Sequence, residues 1–485
     1  MRNRLRRTPG PRQQVGTALR EHARRAVRSG GPPTIAFAAV GADDVTQRYA
    51  RTVVDLTLRL GDALLSTGAS ASDVVTTMLR VAGAYGLGSA HVDITHTSIT
   101  IAVPRGLDED PLSVMRVVRV RAADYSRLEA LHAFVRQITG TGIEVDEARS
   151  QLAEILRAPH PYRRWLVTVA LAIMGAGVVG LFGGGPLVIA LAALTTAVID
   201  RVQRWLSLRG VATFFTQAIG AALATTVAAT VYYANQHGQQ LPGLHSPSLV
   251  VVAGIIVLLA GLSVVGTAQD AIDGYYVTAS GRAFEVLMLT MGIVVGVGVV
   301  LAAAQRLGIQ MRVSPYVALG SDAIGTTVAA VVTAGAFAVS AYTGIRATVL
   351  AAGVGGLGWV AFLAADPLDL GLPTRSAIAA VVVGCLAQLL ARRLRVPALA
   401  LTTAGIIALL PGLSVYRGLF YLLEGSPDLV DDGLTSLVTA AGIGLGLAAG
   451  ITAGGYLARS WFAEPELQSQ RMQRALRRAV GDAHD

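Results

Sequence analysis

Lysine is absent from this sequence, and cysteine occurs once, at Cys385. Without lysine, no Schiff base on a side-chain amine can form. A lone cysteine excludes an intrachain disulfide and a thiolate metal cluster, and Cys385 lies inside an apolar run where a buried structural thiol is expected. Charge is scarce too. Charged residues make up 15% of the 485, hydrophobic residues 53%, and mean hydropathy is +0.55, too apolar for an ordinary soluble protein. No H-E-x-x-H, paired-cysteine or G-x-S-x-G pattern occurs, so neither a metal centre nor catalysis is expected. No apolar h-region follows the basic N-terminus, which excludes a secretory signal peptide.

What is present is arginine, glycine and long apolar runs. The net charge of +9 sits in the two tails and in loops beside apolar spans, a pattern that points to a membrane and not to nucleic acid. The 54 glycines suit close helix packing in lipid. Residues 1–44 read as a disordered basic tail and residues 462–485 as a second basic tail, with a short helix over 464–480. Residues 45–160 contain no span of membrane length. Val53, Leu56, Leu60 and Leu64 recur at helical spacing, Gly68 stops that helix, and Ser70 caps the next with Asp73 three residues on. HVDI (91–94), SITIAV (98–103) and a strand around Met115–Val120 follow, then helices near 124–140 and 145–157, giving a small cytoplasmic α+β domain. The apolar parity shifts across Thr95-His96-Thr97, which predicts a turn or bulge there. His91, Asp93 and His96 are expected to be exposed strand polars, because the shift takes His96 off the face shared by the other two.

From Trp165 to Ile199 no charge appears, and Gly183-Gly184-Gly185-Pro186 divides this run into two short crossings. Further spans are predicted over 211–234, 247–268, 283–304, 315–341, 346–365, 374–391, 397–415 and 434–458, about ten transmembrane helices in all. One stretch occurs twice: AGIIVLLAGLSV (253–264) and AGIIALLPGLSV (404–415), identical at ten of twelve positions and 151 residues apart. Gly261 in the first copy and Pro411-Gly412 in the second predict a helix break in mid-span. Two blocks of five spans, 161–305 and 306–461, would be inverted relative to each other, since an odd number of crossings flips the second copy. With the N-terminus inside, eight loop arginines fall on the inner side and four on the outer, so both termini are expected in the cytoplasm of a bacterial inner-membrane protein. Interrupted apolar segments at corresponding places in two halves point to the binding site of a secondary transporter.

LRLGDALLSTGASASDV (58–74), the VDITHTSITIAV strands, AQDAIDGYYVTASGRAFEVLMLTMG (268–292), PTRSAIAAVVVG (373–384) and PGLSVYRG (411–418) resemble the threonine/serine exporter family over residues 45–460. The resemblance implies a cytoplasmic N-terminal domain, ten membrane helices, and proton-driven export of L-threonine and L-serine without a cofactor. A homo-oligomer is compatible with this class. An exported amino acid needs an acceptor for its ammonium, a donor for its carboxylate and a partner for its hydroxyl. Ser263, Thr267, Gln269, Asp270, Asp273, Thr278, Arg282 and Ser414 are the candidates, and an ordinary loop with an interfacial ion pair is the competing reading of the segment around Arg282. Arg282 and Thr278 should stack one turn apart, with Glu285 on the Arg282 face. Glu285 and Asp322 are the strongest intramembrane ionisable groups, so they are the candidates for the coupling proton. Asp200 is expected to pair with Arg201 or Arg204. Two other classes stay open: a dicarboxylate exporter of the same fold, and a membrane receptor or enzyme whose soluble domain binds the ligand.

Overall fold

The computed structural model describes residues 47–104, 110–118, 123–237, 248–258, 261–309, 319–424 and 427–460. The two basic tails, including Trp461 and Phe462, lie outside the described residues, as does the predicted beginning of the sixth span near Tyr316.

Helix α1 (Gln47–Ser66) buries Val53, Leu56, Leu60 and Leu64 completely, as their helical spacing requires. Gly68 turns the chain at φ 100°, and Ser70 caps α2 (Ala71–Ala84), its hydroxyl accepting from the Asp73 N–H at 3.2 Å. Strands β1 (His91–Thr95), β2 (Ser98–Val103) and β3 (Leu112–Val117) form an antiparallel sheet in that order. Thr95 pairs with Ser98, so the parity shift is a two-residue hairpin turn with His96 at φ 45°. The third strand starts three residues before Met115. Ile99, Ile101 and Val103 of β2 point inward to the core that α1 closes from one side. Helices α3 (Tyr125–Thr141) and α4 (Val145–Arg157) complete this layer, α3 on α2 and α4 on α1.

The remainder is helical: α5 (Arg164–Leu181), α6 (Pro186–Leu208), α7 (Thr213–Gln236), α8 (Ser248–Leu258), α9 (Gly261–Ile272), α10 (Tyr276–Arg306), α11 (Ala323–Ser340), α12 (Ile345–Ala364), α13 (Leu372–Leu394), α14 (Ala398–Ile406), α15 (Gly412–Glu424) and α16 (Pro427–Ser460). Among the described residues eight helices are long and apolar enough to cross a membrane, which makes this a multi-pass helical membrane protein. The first apolar run is indeed two helices, α5 and α6, turned at Gly183 with φ 68°. Of the other two apolar segments, one is broken between α14 and α15, and in the other residues 259–260 between α8 and α9 lie outside the described residues.

The packing is duplicated. Helix α7 packs on α10 as α13 packs on α16; α8 packs against α6 and α7 as α14 packs against α12 and α13; and α5 lies along α11. Close approach in each half depends on glycines one turn apart. A methyl at Gly296 of α10 would stand 2.0 Å from the Ala218 carbonyl oxygen of α7, and one at Gly454 of α16 2.2 Å from that of Val381 in α13.

The α1–α4 layer sits on one end of the helical body and touches both of its halves. Tyr125 donates its N–H to the Ala341 carbonyl at 3.0 Å, its hydroxyl lies 2.8 Å from that of Thr403 in α14, and Tyr162 donates to the Thr343 carbonyl at 2.8 Å. Burial pushes the Tyr125 phenol up to about 12, so this contact stays neutral at every physiological pH.

Within the layer, burial lowers the pKa of His132; Asp73 raises it, and the cations Arg136 and Arg80 lower it further. The unfolded chain, with histidine near its usual value of about 6.5, then binds more protons than the folded one, and stability is lost as pH falls from there toward the folded pKa. Burial raises the pKa of Glu129 against the pull of Arg136 and Arg346, which works in the opposite sense, so the contribution of His132 is read from a variant. Between pH 7 and pH 5 the fall in Tm of the detergent-purified protein should be smaller in His132→Gln than in the parent; equal falls would show that His132 contributes nothing.

Candidate functional site

The first copy of the repeat leads straight into the α1–α4 contact. Helix α9 is described from Gly261 on, and the helix break expected at Gly261 falls at residues 259–260, which lie outside the described residues. Ser263 is half-buried, and its carbonyl accepts from the Thr267 hydroxyl at 2.6 Å. Gln269 and Asp273 are half-buried near the end of α9, where Gly274 at φ 90° turns the chain back into α10. Asp270 is fully buried. Its carboxylate pairs with Arg282 of α10 at 2.6 Å and accepts from the Ala71 N–H, the first residue of α2, at 3.3 Å. A carboxylate at a helix N-terminus gains from the dipole as well as from the hydrogen bond. Thr278 is also fully buried. Its hydroxyl donates to the Ile94 carbonyl at 3.0 Å and accepts from the His96 N–H at 3.1 Å, so one side chain satisfies both backbone groups at the hairpin tip. At Gly281 a methyl would stand 2.9 Å from the His96 ring, which is why this turn of α10 carries glycine. Burial raises the Tyr275 phenol, and Asp273, Asp270 and Asp93 add to the shift, placing β1 against the α9–α10 turn as well.

TASGRAFE is therefore a docking element in this conformation. Arg282 pairs with Asp270 and not along its own helix with Glu285, which is exposed. Thr278 faces the sheet because α10 presents it to β1 and the hairpin tip. His96, expected among exposed strand polars, lies in the joint.

Two acidic groups sit elsewhere than expected. Asp322 is not inside a span: α11 starts at Ala323, and Asp322 is its exposed N-cap, accepting from the Ile324 and Gly325 N–H groups at 3.0 and 2.9 Å. Asp200, near the end of α6, pairs with Arg164 of α5 and accepts from the Thr168 hydroxyl at 2.6 Å; the neighbouring Arg201 and Arg204 are not its partners in these contacts. Among the described residues no cluster of His, Cys, Asp or Glu has a metal-binding arrangement.

The second break forms a cavity. Helix α14 passes through a 3-10 turn (Ile407–Leu409), Leu410 is extended at φ −62° and ψ 144°, and α15 restarts at Gly412. Pro411 lacks an N–H, and the Gly412 N–H donates to the Leu410 carbonyl at 2.8 Å. A cavity of about 260 Å³ lies against this break, lined among others by Trp359, Phe362, Ser376, Pro411, Ser414 and Arg417. Ser376 is 2% exposed and Ser414 9%. Trp359, also 2% exposed, stacks with Phe362 at 5.3 Å, and its indole N–H is buried without a hydrogen-bond partner. Among the described residues no acidic side chain lines the cavity. Leu181 and Phe182, at the far end of α5 from Arg164, also line it, so it lies toward the end of the helical body opposite the α1–α4 layer.

Pro411, Gly412 and Ser414 are where the repeat predicted them. Trp359, Ser376 and Arg417 were not anticipated as binding residues. Ser376 and Arg417 lie inside PTRSAIAAVVVG and PGLSVYRG, two stretches that carry the family resemblance; a lone tryptophan in an apolar run gives no such signal.

Comparison with known proteins gives one answer along the chain. The family model ThrE, a threonine/serine exporter model, matches residues 55–304, and the model "Threonine/Serine exporter, ThrE" matches residues 326–455. A Mycobacterium tuberculosis protein named "Probable threonine/serine exporter" is 37% identical over 454 residues, covering 91% of this chain and 83% of that protein. A Corynebacterium glutamicum "Threonine/serine exporter" is 36% identical over 432 residues, covering 88% of this chain and 86% of that protein. No solved structure matches.

Thr278→Val keeps the shape of the joint but strands the Ile94 carbonyl and the His96 N–H. Each stranded group costs about 1–3 kcal/mol, so amide exchange in the hairpin should speed up roughly ten- to a hundredfold. Hydrogen-exchange mass spectrometry of residues 91–103 reads this directly, and unchanged exchange would show that the Thr278 bonds do not hold the hairpin.

Proposed function

This chain belongs to the threonine/serine exporter family, and on that premise we propose that it carries L-threonine and L-serine out of the bacterial cell by alternating access between two inverted halves. It is a transporter and not an enzyme.

Ten spans make up the two halves, with α8–α9 and α14–α15 each forming one broken crossing. The observation that carries this reading is the duplicated packing: α7 on α10 and α8 against α6 and α7 in the first half recur as α13 on α16 and α14 against α12 and α13 in the second. The sequence repeat, offset by 151 residues, supports it. Five crossings per half invert the second copy, and the loop arginines put the α1–α4 layer and both termini in the cytoplasm.

In this orientation the α1–α4 layer is a cytoplasmic domain over residues 45–160, and it closes the inner end of the path. It holds the first half at Asp270 and Thr278 and the second at Ala341 and Thr403. The cavity at the second break lies toward the outer end, so the conformation faces outward. Loading from the cytoplasm requires this domain to shift on its joint, and the buried Asp270–Arg282 pair keeps that joint in register; loss of one partner of such a pair costs about 3–5 kcal/mol.

The coupling ion is the proton. Glu285, exposed on α10 one turn from Arg282, and Asp322, capping α11 at the outer end, place one carboxylate toward each side of the membrane. A dicarboxylate exporter would need two cations at its site, whereas among the described residues Arg417 is the one Arg or Lys lining the cavity, and Arg282 is committed to Asp270.

Counterflow in proteoliposomes tests the reading. Labelled L-threonine should exchange against internal L-threonine and L-serine, and not against succinate. A proton gradient should drive uphill movement that an uncoupler abolishes without stopping exchange. Glu285→Gln and Asp322→Asn, tested singly, should retain exchange, and at least one should lose gradient-driven transport. Exchange against succinate would contradict the substrate assignment, and uphill transport undiminished in both variants would remove these carboxylates from coupling.

A further inference from the structure

The cavity at the second helix break has the polar groups of an amino-acid zwitterion distributed around it, and their distribution follows from the break itself. Within a helix each carbonyl accepts from the N–H four residues on, or three in a 3-10 turn. For Ala408 the residue three on is Pro411, which has no N–H, and the N–H four on, that of Gly412, is already donated to Leu410. Its carbonyl is thereby left at the negative end of α14, on the cavity wall. Across the break, α15 begins thirteen residues of helix at Gly412. Its first-turn N–H groups at 413 and 414 have no acceptor within the helix, and they form the positive end of its dipole.

We propose that this cavity is the substrate site of the exporter, and that one residue of each charge class reads one part of an L-threonine or L-serine molecule. The ammonium meets the Ala408 carbonyl and the Ser376 hydroxyl. The carboxylate meets the α15 N-terminus and Arg417. The side-chain hydroxyl accepts from the indole N–H of Trp359, the buried donor that has no protein partner. Phe362 and the neighbouring apolar lining hold the methyl of threonine. A volume of about 260 Å³ lies below the range of drug-sized pockets, roughly 300–1,000 Å³, and suits one small metabolite.

The first half does not offer the same site, and the repeat shows why. The position matching Ser376 is Thr225, which is fully buried and spends its hydroxyl on the Ala221 carbonyl at 2.8 Å. Arg417 matches Gly266, whose missing side chain leaves its place to the Arg282 guanidinium, 3.5 Å from where a Cβ would stand, and Asp270 neutralises that cation. The proline is absent as well. One half has kept the break as a binding site, and the other has turned it into the anchor of the cytoplasmic domain.

This assignment rests on the transport reading above. The experiment compares L-threonine with L-valine, which has a methyl where threonine has its hydroxyl, as competitors of labelled threonine exchange in proteoliposomes of the full chain. The parent should prefer threonine by a hundredfold or more, since a site with a buried donor for a hydroxyl rejects the analogue lacking it. Trp359→Phe should cut that preference at least tenfold, as a loss of threonine affinity with the valine affinity little changed. A second measurement does not need a transport-active variant: with Cys385 replaced by Ala, a cysteine in Ser376→Cys should react with a maleimide, and L-threonine should protect it while L-valine at the same concentration should not. A preference unchanged in Trp359→Phe, or a reactive Ser376→Cys that threonine leaves unprotected, would overturn the site. Failure of the parent itself to exchange threonine would overturn the transport reading instead.

Discussion

A helix that breaks inside a bilayer leaves backbone carbonyls and N–H groups with no water to satisfy them, and each such group costs several kcal/mol if nothing replaces it. That constraint organises this molecule. The chain carries one repeat at matching places in two apolar segments and uses it in different ways. After the first copy, α9 runs to a buried carboxylate that accepts from another layer of the protein. At the second, Pro411 removes a donor, and a cavity lined by two serines and an unsatisfied indole N–H opens beside the broken helix ends. A duplicated sequence thus produces one anchor and one cavity wall.

The anchor gives the α1–α4 layer mechanical access to both halves. Its contacts are few and specific: a hydroxyl shared between two backbone groups of a hairpin, a glycine that admits a histidine ring, a buried ion pair, and a tyrosine that reaches Thr403 on α14. Polar contacts of this kind fix register more than they contribute net stability. Helix pairs such as α7–α10 and α13–α16, by contrast, meet through glycines with almost no clearance, and such interfaces move as rigid units. Rigid bundles joined at polar contacts suit a cycle in which one end opens as the other closes.

Much of this was legible in the sequence, because the features concerned are local. Val53, Leu56, Leu60 and Leu64 announce α1, Gly68 and Ser70 announce its end and the start of α2, and the second copy of the repeat announces the break at Pro411. The family follows from linear motifs. What stayed hidden depends on which side chain meets which across long sequence separations. Nothing in TASGRAFE says that Thr278 lies under a hairpin 184 residues earlier, or that Arg282 turns back to Asp270 and away from Glu285. Asp322 was misplaced because hydropathy carried the span through residues 316–322, whereas an Asp followed by a helix-forming run is an N-cap signal that also fits. Trp359 and Ser376 come together only when α12, α13 and the second break are packed.

The most direct measurement is a cryo-electron microscopy map of the protein in lipid nanodiscs with saturating L-threonine. The account predicts density for one amino acid beside Leu410 and Pro411, with its hydroxyl toward Trp359 and its carboxylate toward Arg417, while the Asp270–Arg282 pair stays closed. Density wedged between Asp270 and Arg282, with the cavity at Pro411 empty, would contradict it.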